Sequence, residues 1–233
     1  MISIFGSLSL SLGLGMAAIC ISLLSLFLKN NEYRFFIAGS RAAVVISVLS
    51  ILATFLLLNE LLVSNFDVNY VAHYTSLETP LLFKVTALWA GQAGSLLFWL
   101  FILSVYTLIV IFQYRNSFTN LLPWVIIVLV FVQAFFLILV NFVENPFAPT
   151  TADFVVANGN GLNPLLQNLT MAIHPPTLYL GYVGFTVPFA FAIAALITKD
   201  TGSVWIRSIR RWTLIAWLFQ SAGVILGGWW AYQ

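Results

Sequence analysis

Leu121-Leu-Pro-Trp-Val-Ile-Ile-Val-Leu-Val-Phe-Val-Gln-Ala-Phe-Phe-Leu-Ile-Leu-Val-Asn-Phe142 contains no charged residue from end to end. A helix needs about 20 apolar residues to cross the hydrocarbon core of a bilayer, and this stretch supplies them. Five further runs have the same character: roughly Phe5–Leu28, Ala42–Leu62 (interrupted late by Glu60), Val85–Phe112, Thr177–Thr198 and Trp212–Trp230. Runs of this length favour helices, because a barrel would show alternating segments of about ten residues. The composition agrees. Of 233 residues, 61% are hydrophobic and only 7% charged, against about 25% charged in a soluble domain. Disorder needs the opposite balance. The expected fold is an all-α integral membrane protein with about six transmembrane helices, forming a single domain over residues 1–233.

The few charges orient it. Lys29, Arg34, Arg41, Arg115, Lys199, Arg207, Arg210 and Arg211 all fall in three alternate loops of a six-span chain, leaving Lys84 as the one cation on the other side. The side with Lys84 also carries Asp67, Glu78, Glu144 and Asp153. The positive-inside rule makes the three basic loops cytoplasmic, or their organellar equivalent, and puts both termini outside. The first run has neither a basic n-region nor a small-residue cleavage site, so it reads as a retained helix and not a signal peptide. A net charge of +2 without a basic stripe argues against nucleic acid. A lone Cys20 excludes an internal disulfide framework and any C-x-x-C or C-x-x-C-H site.

Chemistry collects on the outer side, where both histidines lie. In Gly161-Leu-Asn-Pro-Leu-Leu-Gln-Asn-Leu-Thr-Met-Ala-Ile-His-Pro-Pro176, Asn163 is a candidate cap with Pro164 at the first helical position. A helix of about ten residues is expected to lie in the interface and to stop at Pro175-Pro176, fixing His174 at its end. Gly227-Gly-Trp-Trp-Ala-Tyr232 brings Trp229 and Trp230 to the same membrane face, and Gly223 with Gly227 makes a small-xxx-small face for close helix packing. Gly91, Gly94 and Ser95 form a notch in the third span, and Lys84 is a candidate counter-ion. An imidazole, two indoles, a glycine-thinned helix end and one cation suit a metalloporphyrin: iron takes an axial histidine, the macrocycle packs on aromatic rings, and propionates seek a cation. The plainer readings are a histidine bonded in the headgroup layer, belt tryptophans that anchor a helix, and a snorkelling lysine. His73, in Tyr70-Val-Ala-His-Tyr-Thr75, is expected in a loop without a comparable anchor. No H-E-x-x-H, phosphate loop or nucleophile constellation occurs.

At Leu88-Trp-Ala-Gly-Gln-Ala-Gly-Ser-Leu-Leu-Phe-Trp99, Asn163–Asn168, His174-Pro-Pro-Thr-Leu-Tyr-Leu-Gly-Tyr-Val-Gly184 and Leu226–Tyr232, the chain resembles the CcmF/NrfE family of cytochrome c maturation proteins, relatives of the haem-handling CcsA and CcmC proteins. The resemblance implies a polytopic subunit of a haem lyase that presents transiently bound b-type haem on the outer face for covalent attachment to apocytochrome c. It implies that His174 is an axial haem ligand and that Gly227–Tyr232 opens the tryptophan-rich (WWD) motif. Implied partners are a haem-delivery chaperone, apocytochrome c, thiol-handling maturation subunits and a separate C-terminal half of the lyase, in a bacterial inner membrane in preference to an organellar one. The family's motif runs on past Gln233, and its second outer histidine and transmembrane haem ligands have no counterpart here, so the chain is expected to be an N-terminal portion without lyase activity alone. Two other classes stand beside this reading. One is a haem transporter, which would show ionisable groups in mid-membrane half-helices; the other is a structural scaffold for a split lyase.

Overall fold

The computed structural model describes residues 1–116, 120–150, 157–200 and 202–232. Asp153 and Gln233 lie outside the described residues. Nine α-helices follow one another among the described residues: α1 Ile2–Asn30, α2 Tyr33–Leu62, α3 Asn69–Tyr74, α4 Leu81–Thr86, α5 Gln92–Tyr114, α6 Leu122–Ile138, α7 Leu169–Gly184, α8 Thr186–Thr198 and α9 Val204–Ala231. A π-helical turn, Leu139–Val143, prolongs α6. Six segments are long and apolar enough to span a membrane: α1, α2, α5, α6 with its π turn, α7 joined to α8, and α9. Helices satisfy every backbone polar group within the segment, which lipid requires.

Packing inside the bundle uses small residues and a few buried polar ones. Cys20 is buried and donates from Sγ to the Gly39 carbonyl at 3.2 Å, tying α1 to α2. Gln133 is fully buried on α6 and donates from Nε2 to Ser104 Oγ on α5 at 3.0 Å and to Ser47 Oγ on α2 at 3.3 Å. Hydrogen bonds of this kind hold helices together where lipid offers no hydrophobic drive.

One end of the bundle is capped by the two long segments that carry the histidines. Val68 pairs with Pro149 in an antiparallel bridge. Asn69 N–H donates to Ala148 O at 2.9 Å, Thr150 N–H to Asp67 O at 2.9 Å and Asn160 N–H to Ala72 O at 2.8 Å. The start of α1 meets the same cap, with Gly6 lying against the ring of Phe147. The end of α9 reaches it as well, with Gly227 against His174. The start of α1 and the end of α9 therefore both sit at the histidine-bearing end, as six spans require.

Two elements differ from the sequence expectation. The third span does not run unbroken from Val85. Helix α4 passes into a 3₁₀ turn, Ala87–Trp89, and Gly91 is extended (φ −120°, ψ 169°) before α5 begins. The Tyr70 hydroxyl fills the break, donating to Ala87 O at 2.7 Å and accepting from Gly91 N–H at 3.1 Å. The Gly91–Gly94 notch is thus a seat for the rings of Tyr70 and Tyr74, which occupy the space where side chains at those positions would go.

The second difference is at Pro175-Pro176, which do not stop a helix. Asn163 does cap as expected, its Oδ1 accepting from Leu165 N–H at 3.0 Å, but over a single 3₁₀ turn, Pro164–Leu166. A fresh helix, α7, then starts at Leu169 with Asn168 Oδ1 accepting from Thr170 N–H at 2.8 Å, and runs through both prolines. Proline removes a backbone donor and normally kinks a helix interior. The carbonyl deprived by Pro175 is that of Met171, and the indole N–H of Trp89 reaches it at 3.4 Å. The Thr177 hydroxyl, one turn on, bonds back to Ile173 O at 2.8 Å, a carbonyl that neither proline deprives.

Candidate functional site

Helices α7 and α9 approach closely because both present small residues to the contact. Ala216, Gln220, Gly223, Gly227 and Trp230 recur on one face of α9 at helical spacing. A side chain at Gly181 would run into the α9 backbone at Gln220, and a Cβ at Gly223 would lie 2.6 Å from the Cα of Leu178. The small-xxx-small reading of Gly223 and Gly227 therefore holds.

His174 stands between the two helices. Its Nδ1 lies 2.8 Å from the carbonyl oxygen of Gly223. A carbonyl can only accept, so Nδ1 carries the proton, and in the neutral ring Nε2 keeps its lone pair. Fixing the tautomer through the far nitrogen is the usual way a protein prepares an imidazole to ligate a metal. The face of the ring rests on Gly227, where a Cβ would fall 2.7 Å from Cε1 and 3.2 Å from Nε2. Trp230 lies alongside, ring centroid 6.0 Å away and tilted by 33°. Trp229 is one residue, and so about 100°, further round the helix, and it is exposed. Next to it, Gly228 has open space where its side chain would be.

Lys84 takes another partner. Its Nζ donates to Ser64 Oγ at 2.6 Å, linking α4 to the end of α2. His73 is not in an unanchored loop, as the sequence suggested. It belongs to α3, its Nδ1 lies 2.9 Å from the Asn69 carbonyl, and α3 is pinned by Tyr70 and Tyr74. Burial pushes the Tyr70 phenol well above its ordinary pKa. His73 lines a hollow of about 210 Å³ with Gln92, Glu144 and Asn145.

Trp89 was not singled out by sequence reasoning. Besides capping Met171, it stacks on Phe98 (5.4 Å, 29°), which meets Tyr179 of α7 at 6.1 Å. Trp99 packs on Tyr179 at 5.1 Å and Tyr182 at 5.0 Å. The signal for Trp89 was present: a proline four residues after Met171 guarantees a carbonyl in need of a donor.

Fold and site together define a polytopic helical membrane protein that holds an imidazole at one membrane face between two tightly packed helices. The chain belongs to the cytochrome C assembly protein family, which matches residues 89–233. It is 39% identical over 196 residues to the cytochrome c-type biogenesis protein CcmF of Escherichia coli (strain K12), covering 84% of this chain and 30% of that protein. It is 35% identical over 227 residues to CycK of Bradyrhizobium diazoefficiens, covering 97% of this chain and 34% of that protein. A solved structure, cytochrome c heme lyase CcmF, superimposes over the whole chain with a TM-score of 0.85 at 29% identity, and the chain covers 36% of it. The chain thus spans about a quarter to a third of the length of the relatives it matches. Six spanning helices and bacterial relatives in cytochrome c biogenesis make it an integral, multi-pass protein of the inner membrane.

Proposed function

We propose that the chain takes part in cytochrome c biogenesis by holding haem on the outer membrane face for attachment to apocytochrome c, as part of a haem lyase. The observation that carries this reading is the Nδ1 bond from His174 to Gly223, which leaves Nε2 to ligate iron. The residues around it suit a flat substrate: Gly227 seats the imidazole without a side chain of its own, Trp230 lies beside it, and Gly228 opens onto free space. Trp229, exposed next to Gly228, is assigned to the same surface. Lys84 is assigned to a propionate only on its charge, since its observed partner is Ser64. The haem is b-type and transient because the family's chemistry passes it on. A haem-delivery chaperone, thiol-handling subunits and a separate polypeptide equivalent to the remainder of the relatives are the partners proposed, and the chain by itself supplies one axial ligand. What this chain's residues do is bind and orient; the thioether bonds form between haem vinyl groups and cysteines of another chain.

Haem titration of the purified chain, followed by optical spectra, tests this. The expected result is a weakly bound, five-coordinate or water-ligated species that His174→Ala abolishes and His73→Ala preserves. A six-coordinate low-spin spectrum lost with either substitution would overturn the single-ligand reading, and binding unaffected by His174→Ala would overturn the site.

A further inference from the structure

The other end of α9 carries a second feature that haem handling does not use. Arg207, Arg210 and Arg211 occupy the helix's first two turns, just before Trp212 and the apolar span, and none has an acidic partner within ion-pair distance among the described residues. The acids at this end are engaged elsewhere: Glu32 pairs with Arg34, and Asp200 accepts from Gly202 N–H at 2.8 Å. The three arginines, with Gln113, Tyr114, Ser208 and Leu214, line a hollow of about 540 Å³ between the ends of α5 and α9. The Tyr114 hydroxyl donates to Ser208 O at 3.3 Å and ties the two helices across it. A second hollow of about 490 Å³ lies against the same helix, shares Arg207, Arg210 and Leu214 with the first, and adds Ser203, Ile206, Ile209 and Thr213.

We propose that this pair of hollows binds one anionic diacyl phospholipid in the leaflet opposite the His174 face, with its phosphate among the arginines and its acyl chains running past Leu214 along the apolar part of α9. Three features favour a lipid over a soluble anion. The cationic hollow directly precedes the apolar run that starts at Trp212, at the basic end of the bundle. The wall that both hollows share continues through Leu214 into the apolar span of α9, so that a molecule with a charged head and a greasy tail follows it. Guanidinium groups bind phosphate oxygens in a bidentate fork, and basic pockets between transmembrane helices on the cytoplasmic side are recognised headgroup sites. The lipid holds α5 against α9 at this end, and because α9 is one continuous helix it steadies the register of Gly223 and Gly227 against α7.

Native mass spectrometry of the purified chain in detergent, titrated with dioleoylphosphatidylglycerol or dioleoylphosphatidylcholine, tests the site. Retention of the anionic lipid should exceed that of the zwitterionic one by at least about tenfold, and each of Arg207→Gln, Arg210→Gln and Arg211→Gln should reduce that preference by about fivefold. Lys29→Gln, a charge loss at the same end outside the hollow, should leave it unchanged. If the arginine variants lose helicity, Ser208→Asp supplies the decisive arm: a carboxylate inside the hollow should cut the preference as strongly. Equal retention of the two lipids overturns the proposal, and so does a Lys29→Gln effect equal to that of Arg210→Gln. Removal of the preference by millimolar inorganic phosphate also overturns it, since that marks a soluble-anion site.

Discussion

His174 and His73 sit at the same end of the molecule and are locked in the same tautomer, each with Nδ1 on a backbone carbonyl, at 2.8 and 2.9 Å. The origin of the two carbonyls differs. His73 uses Asn69, one turn back in its own six-residue helix, and its orientation is settled as soon as α3 forms. His174 uses Gly223, 49 residues away on α9, so its orientation exists only when α7 and α9 are packed. A histidine fixed within its own helix keeps its alignment when another pair of helices shifts. One fixed across a helix interface reports on that interface, and loses its alignment when the helices separate.

The sharpest way to break the comparison is Gly223→Val. A side chain at Gly223 meets the Leu178 backbone, which cannot move aside alone, so α7 and α9 must part. Overpacking of this kind costs about 1–3 kcal/mol. It should lower thermal stability measurably and weaken haem binding at His174 at least about tenfold, while the His73 ring signals in an NMR spectrum stay in place. Unchanged haem binding would show that the Gly223 carbonyl does not orient His174.

A smaller and cleaner contrast uses the neighbouring pair of glycines. Gly227→Ala places a methyl 2.7 Å from His174 Cε1 and must displace the ring, whereas Gly228→Ala meets nothing within 4 Å. The first should reduce haem affinity several-fold; the second should leave stability within about 0.5 kcal/mol. Equal stability losses from the two would remove the basis for treating Gly227 as the seat of the ring.

The smallest effect concerns the cap that surrounds His73. Asn158 donates from Nδ2 to Glu78 Oε2 at 3.0 Å and joins the two outer segments. That bond, with the backbone N–H of Glu78 and the Ser76 hydroxyl, holds the Glu78 carboxyl below its usual range. A carboxyl whose pKa is depressed by folding stabilises the fold above its unfolded pKa and loses that contribution as pH falls through the folded value. Asn158→Ala should move the Glu78 titration, followed by carbon-13 NMR, back up toward an ordinary glutamate. Glu78 is fully exposed, so no shift at His174 is expected. Movement of His174 in that variant would mean that the two histidines are not independent.

Much of the fold was legible in the chain itself. Six apolar runs, punctuated by basic loops on alternate sides, dictate six spanning helices, because lipid leaves the backbone no alternative to internal hydrogen bonds. The close helix contact at Gly223 and Gly227 was also readable, since small residues at helical spacing let two backbones approach. Two features depended on partners distant in sequence. Pro175-Pro176 read as a stop because proline costs a local hydrogen bond, and only the packed bundle brings the Trp89 indole to the orphaned Met171 carbonyl. The third span read as unbroken because hydropathy ignores backbone direction, and only Tyr70, seated from α3, supplies the bonds that a break at Gly91 requires. Hydropathy and helical period are properties of neighbours along the chain, and they set which segments are helices. The lone pair left on His174, the seat beneath its ring and the partner taken by Lys84 are properties of segments that meet only after folding, so the tertiary structure alone decided them.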